Sequence, residues 1–142
     1  MNQDITFKIA SREDLPALKK VGNKLFDNPV KDDRAKEFLS DQRHHLVLAC
    51  INDQVVGMAS GFHYIHPDKD PELFINEVAV IDEFQNQQIG RQLITYLFEY
   101  CKNLGCREAW VLTDSSNSAA RRAYLAAGGT ENEDEIKLIS FK

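Results

Sequence analysis

Leu73-Phe74-Ile75-Asn76-Glu77-Val78-Ala79-Val80-Ile81 and, after Asp82-Glu83, Phe84-Gln85-Asn86-Gln87-Gln88-Ile89-Gly90-Arg91 are the stretches that decide how this chain folds. The first is rich in β-branched and aromatic residues and predicts a strand over 73–81; the second leaves it in a polar turn and opens a helix. From Ile89 onward, Leu93, Leu97, Tyr100, Cys101 and Leu104 recur at helical spacing, opposite Arg91, Gln92, Thr95, Glu99 and Lys102, and Gly105 closes the helix. A strand over 109–113 follows, so strand, helix and strand make one βαβ unit with parallel strands.

Upstream, Asn52-Asp53 forms a hairpin turn between strands over 46–51 and 55–64, and a Pro-Asp loop over 67–71 leads into the strand at Leu73. Three strands joined by turns this short are antiparallel, which excludes an all-parallel nucleotide-binding sheet. Before them come a strand over 5–10 and a helix carrying Leu15, Leu18, Val21, Gly22, Leu25 and Phe26, with Asp14 as its expected cap and Pro16 in its first turn. Turn signals at Asp27-Asn28-Pro29 precede a short amphipathic helix over 33–39. At the other end, a helix over 119–127 stops at Gly128-Gly129, and a last strand is expected over 136–141. The fold class is α/β with a mixed α+β sheet: antiparallel N-terminal strands followed by a βαβ unit, helices on both faces, and one domain over 1–142.

The 142 residues are 43% apolar and 27% charged, an ordinary globular composition rather than a disordered one. A net charge of −5 disfavours a generic nucleic-acid binder and suits a cationic partner. Met1-Asn2-Gln3-Asp4 offers neither a basic nor an apolar leader region, and no apolar run reaches the ~20 residues of a membrane span, so the cytoplasm is the expected compartment. Cys50, Cys101 and Cys106 are odd in number and lack CxxC spacing; they read as reduced core thiols in strand-like and helical apolar positions, not as a disulfide framework, a zinc site or a nucleophile.

Three features carry chemistry. The turn Phe84 to Arg91 points backbone amides and a positive helix end at a place where an anion can sit, with Gly90 allowing close approach. Glu77 lies in a strand covered on both faces. A buried carboxylate either meets a cation, borders a cavity or carries a raised pKa, so Glu77 is a candidate general base for an amine, the bland alternative being an ion pair with Arg or Lys. In Asn117-Ser118-Ala119-Ala120-Arg121-Arg122-Ala123-Tyr124, Asn117 can cap a helix that carries Tyr124 two turns along. Taken alone, these two residues are a cap and a core aromatic.

In this order and spacing, the three features resemble the GCN5-related N-acetyltransferase (GNAT) superfamily. Its acetyl-CoA loop, Arg/Gln-x-x-Gly-x-Gly/Ala, is matched by Gln85 and Gly90, while Gln88 stands where the first Gly is usual; its downstream Asn-x-x-Ala-x-x-x-Tyr is matched by Asn117, Ala120 and Tyr124. The run 72–80, with 120–124 and Gly128-Gly129, looks most like aminoglycoside 3-N-acetyltransferases of the gentamicin and fortimicin type. The resemblance implies acetyl-CoA as co-substrate, its pantetheine arm paired along Val78, Ala79 and Val80 as an added strand. It implies that the amides of Asn86, Gln87, Gln88, Ile89, Gly90 and Arg91 hold the pyrophosphate, with Asn117, Ala120 and Tyr124 completing the cofactor site. Glu77 would take the amine proton, directly or through water, a backbone N–H near Val80 would meet the oxyanion, and Tyr124 would protonate the leaving thiolate. No metal or covalent enzyme intermediate is required, and both substrates would be bound together.

For the acceptor, acidic residues cluster at Asp27, Asp32 and Asp33; at Asp68, Asp70 and Glu72; and at Glu131, Glu133, Asp134 and Glu135. Convergent loops would make a negative cleft for a cationic amine, in which Asp68 and Asp70 join Glu77 as substrate contacts. Solvated loops are the alternative. His63 and His66 border the second cluster as a substrate contact or an exposed edge, His44-His45 mark a strand entrance, and Arg121 and Arg122 read as a solvated helix face. Rival functions are a non-catalytic acyl-CoA-binding or regulatory domain, favoured by the missing loop glycine, and an acetyltransferase acting on protein or peptide amines. Exposed strand edges in a chain of this size are compatible with a homodimer.

Overall fold

The structure, a computed structural model, describes residues 4–142. Residues 1–3, part of the stretch read for a leader, lie outside the described residues. Five strands lie in the order β1 (Thr6–Ile9), β2 (His44–Ile51), β3 (Gln54–Tyr64), β4 (Glu72–Val80) and β5 (Glu108–Val111). The first three pairings are antiparallel and β4–β5 is parallel; the short turns account for β2–β3 and β3–β4 and the intervening helix for β4–β5, while β1 reaches its antiparallel place beside β2 through α1 and α2. The helices are α1 (Leu15–Val21), α2 (Asp32–Ser40), α3 (Ile89–Lys102) and α4 (Ser118–Ala126).

Strand alternation divides the core between the two faces. On one, Val47, Ala49, Ala59, Leu73 and Ile75 pack against Ile89, Leu93, Leu97 and Cys101 of α3, with Ala123 and Tyr124 of α4 at the margin. On the other, Leu46, Leu48 and Met58 pack against Leu18 and Val21 of α1, with Phe38 of α2 beside them. All three thiols are buried and free, and burial pushes the Cys101 thiol up to about 12, so the cysteines behave as small apolar core residues.

The local chemistry corrects the sequence reading in three places. Asp14 does not cap α1: it has helical backbone angles, accepts from the Ser11 amide at 2.8 Å and pairs with Lys8, which fixes the 3-10 turn before the helix. The first helix ends at Val21 because Gly22 takes φ +41°, and the chain continues through a separate 3-10 turn over Gly22–Lys24. The strand expected over 136–141 is absent. Ile136, Leu138, Ile139 and Phe141 are 60%, 83%, 74% and 93% exposed and pair with no strand; β-propensity alone does not hold a single segment without a ladder partner or a face to bury.

One irregularity shapes the site. Ser60 lies opposite Glu77 but the next residue, Gly61, lies opposite Ile75, leaving Asn76 as the extra residue of a β4 bulge. A Cβ on Gly61 would come within 2.5 Å of the Phe74 carbonyl oxygen, so only glycine permits the strands to approach this closely beside the bulge.

Candidate active site

β4 is paired on both sides only at its start. Against β5 the register runs from Glu72 opposite Glu108 to Ile75 opposite Val111 and stops there, whereas against β3 it continues to Val80 opposite Gly57. The backbone of Val78, Ala79 and Val80 therefore has β3 on one side and an open edge on the other. An edge of unpaired N–H and C=O groups inside a sheet is a template for an extended ligand.

The open edge leads to the start of α3. By helix geometry the N–H groups of Ile89, Gly90 and Arg91 have no acceptor within the helix, and the Gln92 amide makes a ladder bond to Gln88 O at 3.1 Å. Gln88 is the N-cap, with φ 64° and ψ 16°, and Asn86 has φ 63°. Both residues hold the left-handed conformation that glycine adopts freely, at about 1–2 kcal/mol each for a residue with a Cβ. Gln88 thus holds, despite its side chain, a backbone conformation that glycine takes without strain. The first turn of α3 holds no acidic residue, and a Cβ at Gly90 would meet nothing within 4 Å, so the amide-lined end is open to an anion. Gln85 has a part that its sequence position did not reveal. Its amide donates to Val80 O at 3.1 Å and to Asp82 Oδ1 at 3.2 Å, tying the turn to the end of β4.

Glu77 is half-buried opposite the buried Ser60, on the face that carries Met58 and α1. Burial raises its carboxyl above the usual range, and the nearby Asp27 carboxylate, in the loop between α1 and α2, raises it further. No Arg or Lys salt bridge to Glu77 occurs among the described residues, so the ion-pair alternative is not realised. Tyr124 is half-buried against the α3-side cluster, and burial raises its phenol above the ordinary tyrosine value, keeping it a proton donor. The Asn117 side chain caps α4 by accepting from the Ala120 amide at 3.1 Å, as its sequence position suggested.

Of the acidic clusters, only Asp27 acts on Glu77. Asp32 pairs with Lys19 and Lys36, Asp70 with Arg107 at 3.0 Å, Glu72 with His66 at 2.6 Å, and Glu131 with Arg121 at 2.7 Å. Asp68 and Asp70 are exposed on the loop entering β4, and Glu72, the first strand residue after them, already lies about 13 Å of strand before Glu77. His45 is buried, its Nε2 2.7 Å from His63 Nδ1, and burial lowers it to about 4, so it stays neutral. No group of three or more His, Cys, Asp or Glu able to hold a metal ion occurs among the described residues. A depression of about 560 Å³ beside α3 touches the site at Gln88 and Arg91, and neither Glu77 nor Tyr124 lines it. No helix among the described residues is long and apolar enough to cross a membrane.

An open β4 edge running into an amide-lined helix start is the arrangement to which the comparisons with known proteins speak. The model of the Acetyltransferase (GNAT) family matches residues 13–128. The chain belongs to this family. The match takes in Glu77, the turn before α3, and Asn117 to Tyr124. Among curated relatives, an aminoalkylphosphonate N-acetyltransferase of Salmonella typhimurium is 33% identical over 93 residues, covering 63% of this chain and 59% of that protein. A type 1 aminoglycoside N(6')-acetyltransferase of the same organism is 29% identical over 69 residues, covering 49% and 48%. The chain thus spans between about half and three-fifths of the length of these relatives. Among solved structures, an aminoglycoside acetyltransferase from an uncultured soil metagenomic sample, in complex with trehalose, superposes with a TM-score of 0.84 at 19% identity over 97% of this chain and 96% of that one. An aminoglycoside N-acetyltransferase AAC(6')-Iy in complex with CoA gives 0.81 at 20% identity over 99% and 97%. At that identity the likeness establishes the GNAT fold. The aminoglycoside relatives named by position carry the 6' designation, not the 3-N designation that the sequence resemblance suggested.

Proposed function

We propose that this GNAT protein transfers the acetyl group of acetyl-CoA to a primary amine of a small cationic acceptor, with both substrates bound together, and that an amino sugar of the aminoglycoside type is a suitable acceptor. The observation that carries this reading is the open edge of β4 at Val78 to Val80, which joins the amide-lined start of α3 to a half-buried Glu77 of raised pKa. Family membership supports acetyl-CoA as the donor, and CoA in a solved relative of the same fold supports it further.

The residues have separate tasks. Val78, Ala79 and Val80 pair with the pantetheine arm through their backbone, and the amides from Asn86 to Arg91 receive the pyrophosphate, with Gln85 bracing the turn. Glu77 accepts a proton from the ammonium group, leaving a neutral amine to attack the thioester carbonyl carbon. A backbone N–H near Val80 faces the developing oxyanion. As the carbon–sulfur bond breaks, Tyr124 gives its phenol proton to the thiolate, and the surplus proton of the newly acylated nitrogen restores the phenol. Asp27 attracts the ammonium at the reacting end.

Release of free thiol from acetyl-CoA tests the reading when measured over aminoglycosides, polyamines and peptides. Thiol release with an amino sugar is expected. Tight acetyl-CoA binding with no turnover on any amine overturns it and assigns a binding module instead. Gly90→Ala separates the cofactor loop from the fold: its methyl meets open space, and alanine gains about 0.5–1 kcal/mol over glycine within a helix. The melting temperature should hold or rise, while the dissociation constant for acetyl-CoA, measured by calorimetry, increases about ten-fold, a loss of 1.4 kcal/mol.

A further inference from the structure

Phe62, Tyr64, Phe74 and Trp110, neighbours on one face of the sheet, have no part in either core cluster. Three of them continue a row that crosses the sheet in strict register. His44 of β2 stands opposite Phe62 of β3, Phe62 opposite Phe74 of β4, and Phe74 opposite Trp110 of β5. Their ring centroids are 5.6, 5.3 and 4.6 Å apart. Tyr64 flanks the row, and its hydroxyl accepts from Trp110 Nε1 at 2.6 Å, fixing the indole. At the His44 end Phe38 of α2 closes over the row at 5.5 Å; at the other end Trp110 is 42% exposed.

We propose that this row is the acceptor platform, and that it selects primary amines carried on a ring about 7 Å from the reacting nitrogen; the inference rests on the acetyl-transfer reading above. Position is the first argument. On β3, Met58 faces α1, so Ser60 and Phe62 at steps of two face the same way, and Glu77 opposite Ser60 shares that face with Phe74 opposite Phe62. The platform is therefore continuous with the proposed base: because the bulge takes up Asn76, Phe74 and Glu77 stand opposite Phe62 and Ser60, two β3 residues apart, about 7 Å along the sheet. Charge is the second argument. Glu72 and Asp70 at this end of β4 are engaged by His66 and Arg107, so ring faces rather than free carboxylates meet the distal part of the acceptor. Aromatic faces take the flat C–H surface of a sugar or aryl ring and attract any cation the ring carries.

Trp110 is the only tryptophan in the sequence, so its fluorescence reports directly on the platform. The intact protein is titrated with an amino sugar, an arylalkylamine and a short alkylamine, and KM and kcat are compared for the parent, Trp110→Ala and Trp110→Phe. The expected result is a saturable fluorescence change with the ring-bearing amines, and a KM for them about ten-fold higher in Trp110→Ala with a smaller effect on kcat. KM for the alkylamine should move little, and Trp110→Phe should recover most of the loss. The two ring-bearing amines show whether a sugar or an aryl face is preferred. Equal KM changes for all amines, or an unmoved KM, overturns the platform. So does fluorescence that follows protein concentration but not amine, which would mean that a second copy of the chain covers the row. If no amine is acetylated, the acetyl-transfer reading fails, and the fluorescence titration still decides whether the row binds ring-bearing amines.

Discussion

Glu77→Gln lowers turnover about 10²- to 10⁴-fold, the range for loss of a general base, while the protein stays folded. Glutamine preserves the shape beside the buried Ser60 and removes the group that takes the amine proton. The pH dependence strengthens the test. Because burial and Asp27 raise the carboxyl, the acidic limb of kcat/KM lies above the ordinary carboxylate range, and Glu77→Gln abolishes that limb. Stability should move the opposite way. A carboxyl raised in the folded state favours folding in its protonated form, and that contribution is lost as pH rises through the folded value. The parent is thus penalised at neutral pH, and Glu77→Gln should melt at the same or a higher temperature there, with the difference vanishing in acid. A turnover unchanged from the parent would remove Glu77 from the chemistry.

Tyr124→Phe should cost about 10²-fold or more in turnover, through loss of the proton that meets the departing thiolate. The ring that packs against the α3-side cluster is retained, so the melting temperature changes little. Burial raises the phenol, which places the alkaline limb of the parent's pH profile above the ordinary tyrosine range, and the variant lacks it. An acetyl thioester of a more acidic thiol needs less help in leaving, so the gap between parent and variant should narrow with such a donor. A gap of the same size with both donors would assign Tyr124 to packing or cofactor positioning.

Much of this fold was legible in local chemistry. Helical spacing from Ile89 to Cys101, the Asn52-Asp53 turn, and Asn117 three residues before Ala120 each act over a few residues, and the elements formed where those signals lie. Signals that need a distant partner failed. Ile136 to Phe141 has the side chains of a strand, but a strand exists only where another chain segment offers a ladder. Asp14 has the side chain of a cap, yet the Lys8 ammonium and the Ser11 amide hold it elsewhere.

The candidate site divides in the same way. Glu77 and the turn holding Gln85 and Gly90 stood out in the sequence because a carboxylate in a strand and a polar turn opening a helix are local oddities with few physical explanations, whereas Tyr124 stood out only through the family resemblance. Tertiary structure alone decided that β5 leaves β4 after Ile75, that Asp27 is the acidic residue acting on Glu77, and that Asp70 is spent on Arg107. It also decided that residues 44, 62, 74 and 110 form one aromatic row. Strand register and charge pairing link residues tens of positions apart, and neither leaves a trace in the spacing of any single segment.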